Sequence, residues 1–300
     1  MKLSVIVPMY HSYFFDDIMT SYVWQEPCDY EVLFMVTAKK SGVLACTMNR
    51  LRDQNRLSWR VFEMPGESNC RSRNIGAKEA KGEVLLFVDG DQILAPSLFK
   101  KHVSAHNLPS GLMDALPKVG MGICNIDLIR YQDKMEVWIP HLPQQKVAFL
   151  GAAGVLPKFS IPSPNCLDFV KSLTITQAIG LAHWHNMNHM TDYVNVVGRN
   201  VSVNKRAFFD NGMWDEDLAY SETTQSRGWE DLELGLRMHK AGLGFVMVPS
   251  WTVHLEHPRM AKDKGVENIV KVARKHPWFL NERPDWWKLR YDREDIRRRL

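Results

Sequence analysis

The sequence predicts an α/β fold: a single Rossmann-like, mostly parallel sheet flanked by helices. Three observations carry this. Continuous β-branched and apolar runs of strand length recur through the first 130 residues. Segments of helical apolar spacing separate them. Cap, glycine and proline signals punctuate the changes from one to the other.

"KLSVIVP" (2–8) is a buried strand stopped by proline. Phe14, Phe15, Ile18, Met19, Tyr22 and Val23 then recur at helical spacing. "YEVLFMVT" (30–37) is a second strand. Ser41 reads as an N-cap, with Leu44, Met48 and Leu51 on one helical face. "WRVFEM" (59–64) is a third strand, and "SNCRSRNIGAKEAKG" (68–82) a helix closed by Gly82. "EVLLFVDGD" (83–91) is a fourth strand; Pro96 suits the first turn of the helix that follows it. "VGMGICNIDLI" (119–129) is a fifth strand. From Tyr131 to Asp192 the rhythm breaks at Pro140, Pro143, Pro157, Pro162, Pro164 and the "GAAG" stretch at 151–154, which predicts long loops or a small inserted region. Order returns with "VNVVGRNVSVNKRAFFD" (194–210). The helix "GWEDLELGLRMHKAG" (228–242) has acids in its first turn and Gly242 past its end. "GFVMVP" (244–249) is a short strand, followed by "SWTVHLEHP" (250–258).

Composition narrows the class. The chain has 300 residues, 45% hydrophobic and 24% charged, the balance of an ordinary globular protein. A net charge of +4 gives no case for nucleic acid. Five widely spaced cysteines (Cys28, Cys46, Cys70, Cys124 and Cys166) without a C-x-x-C argue against a disulfide framework and a cysteine zinc site, and fit a reducing cytoplasm. The apolar run before Pro8 is too short for a signal peptide, and no run approaches a spanning helix. The expected location is therefore cytoplasmic. The basic, tryptophan-bearing tail "RPDWWKLRYDREDIRRRL" (283–300) suits peripheral contact with the inner face of a membrane, though such a charge run is also an ordinary solvated helix end.

The chemistry gathers in two places. In "LLFVDGDQILAP" (85–96), Asp89 and Asp91 follow a buried strand, where α/β sheets bind ligands. Alternate positions on an extended backbone point both carboxylates to one side, and a hard divalent ion, Mn²⁺ or Mg²⁺, relieves their repulsion. Gly90 lets a ligand approach the backbone. Asp-Gly in a solvated turn is the plainer alternative. Just upstream, Arg73 and Asn74 lie on a helix; Arg73 suits a diphosphate or a metal aspartate, and Arg71 is its competitor. In "GWEDLE", Glu230 and Asp231 open a helix, where acids are also ordinary caps.

The stretch "SRNIGAKEAKGEVLLFVDGDQILAP" resembles the A-R-N-x-G…F-x-D-x-D motif of family 2 glycosyltransferases of the GT-A fold. "VIVPMY" is similar to that family's opening strand. "GRNVSVNKRAFFDNGMWDED…GWEDLELGLRMHKAG" is similar to the acceptor-side segment shared with galactosyl- and N-acetylgalactosaminyl-transferases and chondroitin-type polymerases. The resemblance covers residues 1–130 and 195–258. It implies a nucleotide-sugar-binding half at 1–130, an acceptor-binding and catalytic half of the same domain at 131–258, and a helical C-terminal extension at 259–300. It implies a metal-dependent inverting transfer from a nucleotide diphosphate sugar, by default a UDP-sugar, to a hydroxyl of a glycan, glycolipid or protein. Asp91, Asp89 and His254 resemble the metal ligands, with His257 in reserve. Asp231 resembles the catalytic base and Glu230 an acceptor-hydroxyl ligand. Pro8 and Tyr10 resemble the start of the nucleotide pocket, to which Thr37, Arg73, Asn74, Asp89 and Gly90 are expected to belong. Gly198, Asn200 and Trp229 fall on the acceptor side.

One departure stands out: "FMVTAKKSG" (34–42) lacks the aspartate that contacts the base in many relatives, leaving Thr37, Lys39 or Lys40 there. That departure keeps open a non-catalytic nucleotide-sugar or glycan-binding protein on the same fold. A nucleotidyltransferase or a dehydrogenase would need a glycine-rich loop after the first strand, where the chain reads "MYHSYFFDD". His183, His185 and His189 are expected in a loop or the core. Trp184, Trp214 and Trp229 are sugar-stacking or core residues.

Overall fold

The computed structural model describes residues 2–10, 15–37, 58–107, 118–131, 134–138, 161–162, 171, 174, 193–219, 228–255 and 266–283. The Ser41 helix, Lys39, Lys40, His183, Trp184, His185, His189, His257 and the tail from 284 lie outside them.

The continuous apolar run at the start forms β1 (Leu3–Met9), buried throughout. It pairs in parallel with β2 (Tyr30–Val36) and β4 (Val84–Phe87), and β2 pairs in parallel with β3 (Trp59–Glu63). Two crossover helices, α1 (Phe15–Val23) and α2 (Asn69–Glu79), belong to this half. Ser68 caps α2 by accepting from the Arg71 N–H.

The other half mixes strand directions where the sequence predicted continuation. After β5 (Gln92–Leu94) and α3 (Leu98–Asn107) come β6 (Lys118–Tyr131), β7 (Lys134–Trp138) and β8 (Ile161–Pro162). Next follow β9 (Val201–Asn204), α4 (Lys205–Asp210), α5 (Glu230–Lys240), β10 (Gly244–Leu255), α6 (Val266–Lys275) and α7 (Pro277–Glu282). The strand order is β3-β2-β1-β4-β9-β6-β10-β5, with β7 and β8 off that path. β9 runs antiparallel to both β4 and β6, and β10 antiparallel to β5, while β6 and β10 pair in parallel, so the sheet is mixed. The α/β expectation holds with this change of strand direction.

Three local readings are corrected. Gly82 does not close α2, which ends at Glu79 with Ala80 as its C-cap. Instead it donates its N–H to Ser4 Oγ at 2.8 Å, and a Cβ there would lie 2.6 Å from the Ser4 nitrogen. Its role is close approach to β1. Pro249 does not end a strand; β10 runs through it, with a register shift between Val248 and Trp251. The fourth strand stops at Phe87, so Asp89 and Asp91 sit in a turn closed by Gln92 N–H to the Asp89 carbonyl, not on extended backbone.

One apolar cluster joins the sheet to α2 and α4 and includes Ile6, Phe87, Phe208 and Trp214. A second joins α5 to α6 and α7 through Leu232, Leu236, Ile269, Val272 and Phe279. The segment read as an extension therefore packs against the helix that carries Asp231. Cys28 and Cys70 are free thiols. Among the described residues no helix is long and apolar enough to cross a membrane.

Candidate active site

Helix α2, the turn after β4 and the start of α5 meet at Arg73. Its side chain is buried, with Nη2 2.6 Å from Asp89 Oδ1 and Nη1 3.8 Å from Glu230 Oε1. Its guanidinium lies 4.6 Å above the Trp214 ring, which is itself buried and edge-on to Phe87. Nε and Nη1 of Arg73 have no hydrogen-bond partner among the described residues. One guanidinium therefore spans two motifs that lie far apart in the sequence.

Asp231 completes the group. Its Oδ1 accepts the Gly198 N–H at 2.9 Å. A Cβ at Gly198 would stand 2.8 Å from that oxygen and 2.9 Å from Arg73 Nη2, so any side chain there would displace the carboxylate or the guanidinium. Burial, then the neighbouring Glu230 carboxylate, push Asp231 up from 3.8 to about 7, against the pull of Arg73 and the Gly198 hydrogen bond; Asp89 adds to the rise. The helix start is held in an unusual backbone: Trp229 has φ 75° and Gly228 φ 85°. A tryptophan in the left-handed region costs about 1–3 kcal/mol, a strain found where geometry matters. Trp229 is half-buried against the second cluster.

On the other side of the turn, Asp91 meets β10. His254 is paired with Gln92 across β5–β10, and its Nε2 lies 3.3 Å from Asp91 Oδ2. Gln92, absent from the sequence-based candidates, donates to Asp91 Oδ1 at 2.6 Å. A lone polar residue entering the apolar "QILA" run was its signal. Neighbouring ligands of one octahedral ion lie about 3 Å apart when each is about 2.1 Å from it. Asp91 Oδ2 and His254 Nε2 match that spacing, and an oxygen and an imidazole nitrogen suit Mn²⁺. Asp89 is engaged with Arg73 instead. Among the described residues no group of three or more His, Cys, Asp or Glu is arranged to hold a metal; a cation at Asp91 and His254 would have two protein donors and would need water or phosphate at its other positions.

The remaining candidates divide. Tyr10 is 45% exposed at the end of β1, open to a ligand. Pro8 is buried, and its carbonyl accepts the Gly90 N–H; a Cβ on Gly90 would lie 2.7 Å from that carbonyl. The close approach Gly90 allows is thus to β1. Thr37 is fully buried, with hydroxyl and N–H both on the Met9 carbonyl. Asn74 exchanges hydrogen bonds with the Trp214 backbone and donates to Glu216. Asn200 is buried, with Oδ1 on His102. Trp214 serves Arg73 from the core.

No family model matches the chain. It is similar to the uncharacterized glycosyltransferase YfnE of Bacillus subtilis (strain 168), 26% identical over 284 residues, 90% of this chain and 68% of that protein. It is 25% identical over 292 residues to validoxylamine A glucosyltransferase of Streptomyces hygroscopicus subsp. jinggangensis, covering 93% of this chain and 62% of that one. Among solved structures, GalNAc-T7 with UDP, GalNAc and Mn²⁺ superposes with a TM-score of 0.57 at 16% identity, covering 91% of this chain and 48% of that chain. S. aureus TarS 1–349 with UDP-GlcNAc gives 0.55 at 17% identity, over 92% and 66%. The chain thus spans roughly half to two thirds of the proteins it matches. The structural likenesses bear out the GT-A fold, and the curated relatives are glycosyltransferases, the expected enzyme class.

Proposed function

We propose that the chain, read as a family 2 enzyme, transfers a sugar with inversion from a UDP-sugar to an acceptor hydroxyl of a glycan, glycolipid or protein, with Asp231 as general base. The observation that carries this is Arg73, which ties Asp89 on the donor side to Glu230, next to Asp231 on the acceptor side. Gly198 occupies one Asp231 oxygen, and the other is left for the acceptor proton. A base near pH 7 holds a useful fraction of carboxylate while still binding a proton well. As the acceptor oxygen bonds to the sugar anomeric carbon, its proton passes to Asp231, and the bond from that carbon to the diphosphate oxygen breaks. Glu230 orients the acceptor hydroxyl. Tyr10 offers its ring to the uracil, and the buried Arg73 charge holds Asp89 and Glu230 at the transferring centre. Asp91 and His254 would hold a divalent cation, Mn²⁺ or Mg²⁺, which supplies charge stabilisation to the leaving diphosphate.

Asp231→Asn should keep UDP binding and lose transfer by at least about 10²-fold, the scale of a lost general base. Wild-type transfer by Asp231→Asn would refute the base assignment. The wild-type rate should rise with pH through about 7 as Asp231 ionises.

A further inference from the structure

A second closed polar chain runs between α3 and β9. His102 is fully buried. Its Nε2 lies 2.7 Å from Asn200 Oδ1 and its Nδ1 2.8 Å from Ser202 Oγ, while His106 Nε2 lies 2.8 Å from the same hydroxyl. The proton positions follow from what each atom can do. Asn200 Oδ1 only accepts, so His102 Nε2 carries the proton. Nδ1 then accepts from the Ser202 hydroxyl, and His106 Nε2 donates to the Ser202 oxygen. Burial pushes His102 down to about 3 and His106 down to about 4, so both stay neutral and the chain keeps its direction at physiological pH.

Asn200 also closes a turn, its N–H bonding to the Val197 carbonyl at 3.2 Å. Gly198 lies inside that turn and donates to Asp231. We propose that His102 is a positioning residue for Asp231: it fixes Asn200, Asn200 fixes the turn, and the turn aims the Gly198 N–H at the carboxylate. The proposal rests on Asp231 being the base. Packing alone gives no reason for a histidine whose two ring nitrogens are both engaged. The groups facing Asp231 are Glu230 on its own helix, Arg73 from α2 and Asp89 from the turn after β4. Those facing the histidines are Asn200 and Ser202, with Lys118 of β6 beside His106.

The test needs no substrate. The sequence has two Val-Gly steps, Val119-Gly120 and Val197-Gly198, so ¹³C-valine and ¹⁵N-glycine labelling isolates those two amides by NMR. In the wild type the Gly198 amide should titrate with a midpoint of about 7, and this titration should vanish in Asp231→Asn. In His102→Phe, and equally in Asn200→Ala, the midpoint should rise by roughly half a pH unit or more, because the carboxylate loses a donor. The double variant should shift no further. His102→Gln, whose amide still donates to Asn200, should restore the wild-type midpoint. Gly120, whose carbonyl lies 3.5 Å from Ser202 Oγ, reports directly that the chain has been broken. If His102→Phe does not fold, Ser202→Ala removes the ring's other anchor and should move the midpoint the same way. An unchanged Gly198 midpoint in folded variants whose Gly120 signal has moved overturns the positioning role. A wild-type Gly198 that does not titrate, or a titration that survives Asp231→Asn, overturns the Asp231 reading instead.

Discussion

Asp231 carries a cost that its role explains. Its pKa is raised in the folded chain, so the folded state binds a proton more tightly than the unfolded one between about 4 and 7. Stability therefore falls as pH rises through that window and stays lowered above it. Asp231→Asn keeps an acceptor oxygen for Gly198 and removes the charge crowded by Glu230 and Asp89. The variant should melt higher than wild type at pH 8 and nearly equal to it at pH 4.5, measured by calorimetry. Activity lost together with stability gained is the signature of a strained functional group. That Asp231, Glu230, Asp89 and Arg73 lie together was legible from their motifs. The burial of Asn200 and Thr37 was not, because their partners, His102 and the Met9 carbonyl, lie far away in the chain.

Two elements bear on how firmly the sheet and the helix that carries Asp231 are held. Glu31 on β2 is buried and accepts from Ser4 on β1, Arg60 on β3 and the Lys81 N–H beyond α2. Burial works against its charge, yet the Lys81 N–H, Ser4 and Arg60 hold its carboxyl below the usual range. Its stabilisation is present above the unfolded value, near 4.5, and is lost as pH falls through the folded one. Glu31→Gln should cost about 2 kcal/mol at pH 7, with the gap to wild type narrowing in acid, read by urea melts. At the other end, Gly228 precedes α5 at φ 85°, and a Cβ added there would have no atom within 4 Å. Gly228→Ala should therefore cost about 1 kcal/mol through conformation alone, and should lower the transfer rate by displacing the turn that presents Asp231. The first-turn acids of α5 marked that helix in the sequence, but the left-handed pair before it left no sequence signal beyond a glycine.

At the scale of the molecule, the parallel half was readable because β1, β2, β3 and β4 are apolar runs separated by helix-length segments. In the mixed half β6 and the start of β10 were readable as apolar runs, but the strand directions were not. β5 has only three residues, β9 only four, and β10 hides a bulge behind a proline. Strand direction there is set by contacts between distant segments, such as β9 lying between β4 and β6. That arrangement lets β5 and β10 place His254 beside Asp91, while α2 and α5 place Arg73 between Asp89 and Glu230. If these parts form one donor site dependent on a divalent cation, nucleotide binding must depend on that ion and on Asp91 together. Calorimetry of UDP binding, with Mn²⁺ and with EDTA, on folded wild type and Asp91→Asn measures both dependences at once. Binding should require Mn²⁺ and be lost in Asp91→Asn; UDP binding indifferent to both the ion and the substitution would show that no such donor site exists.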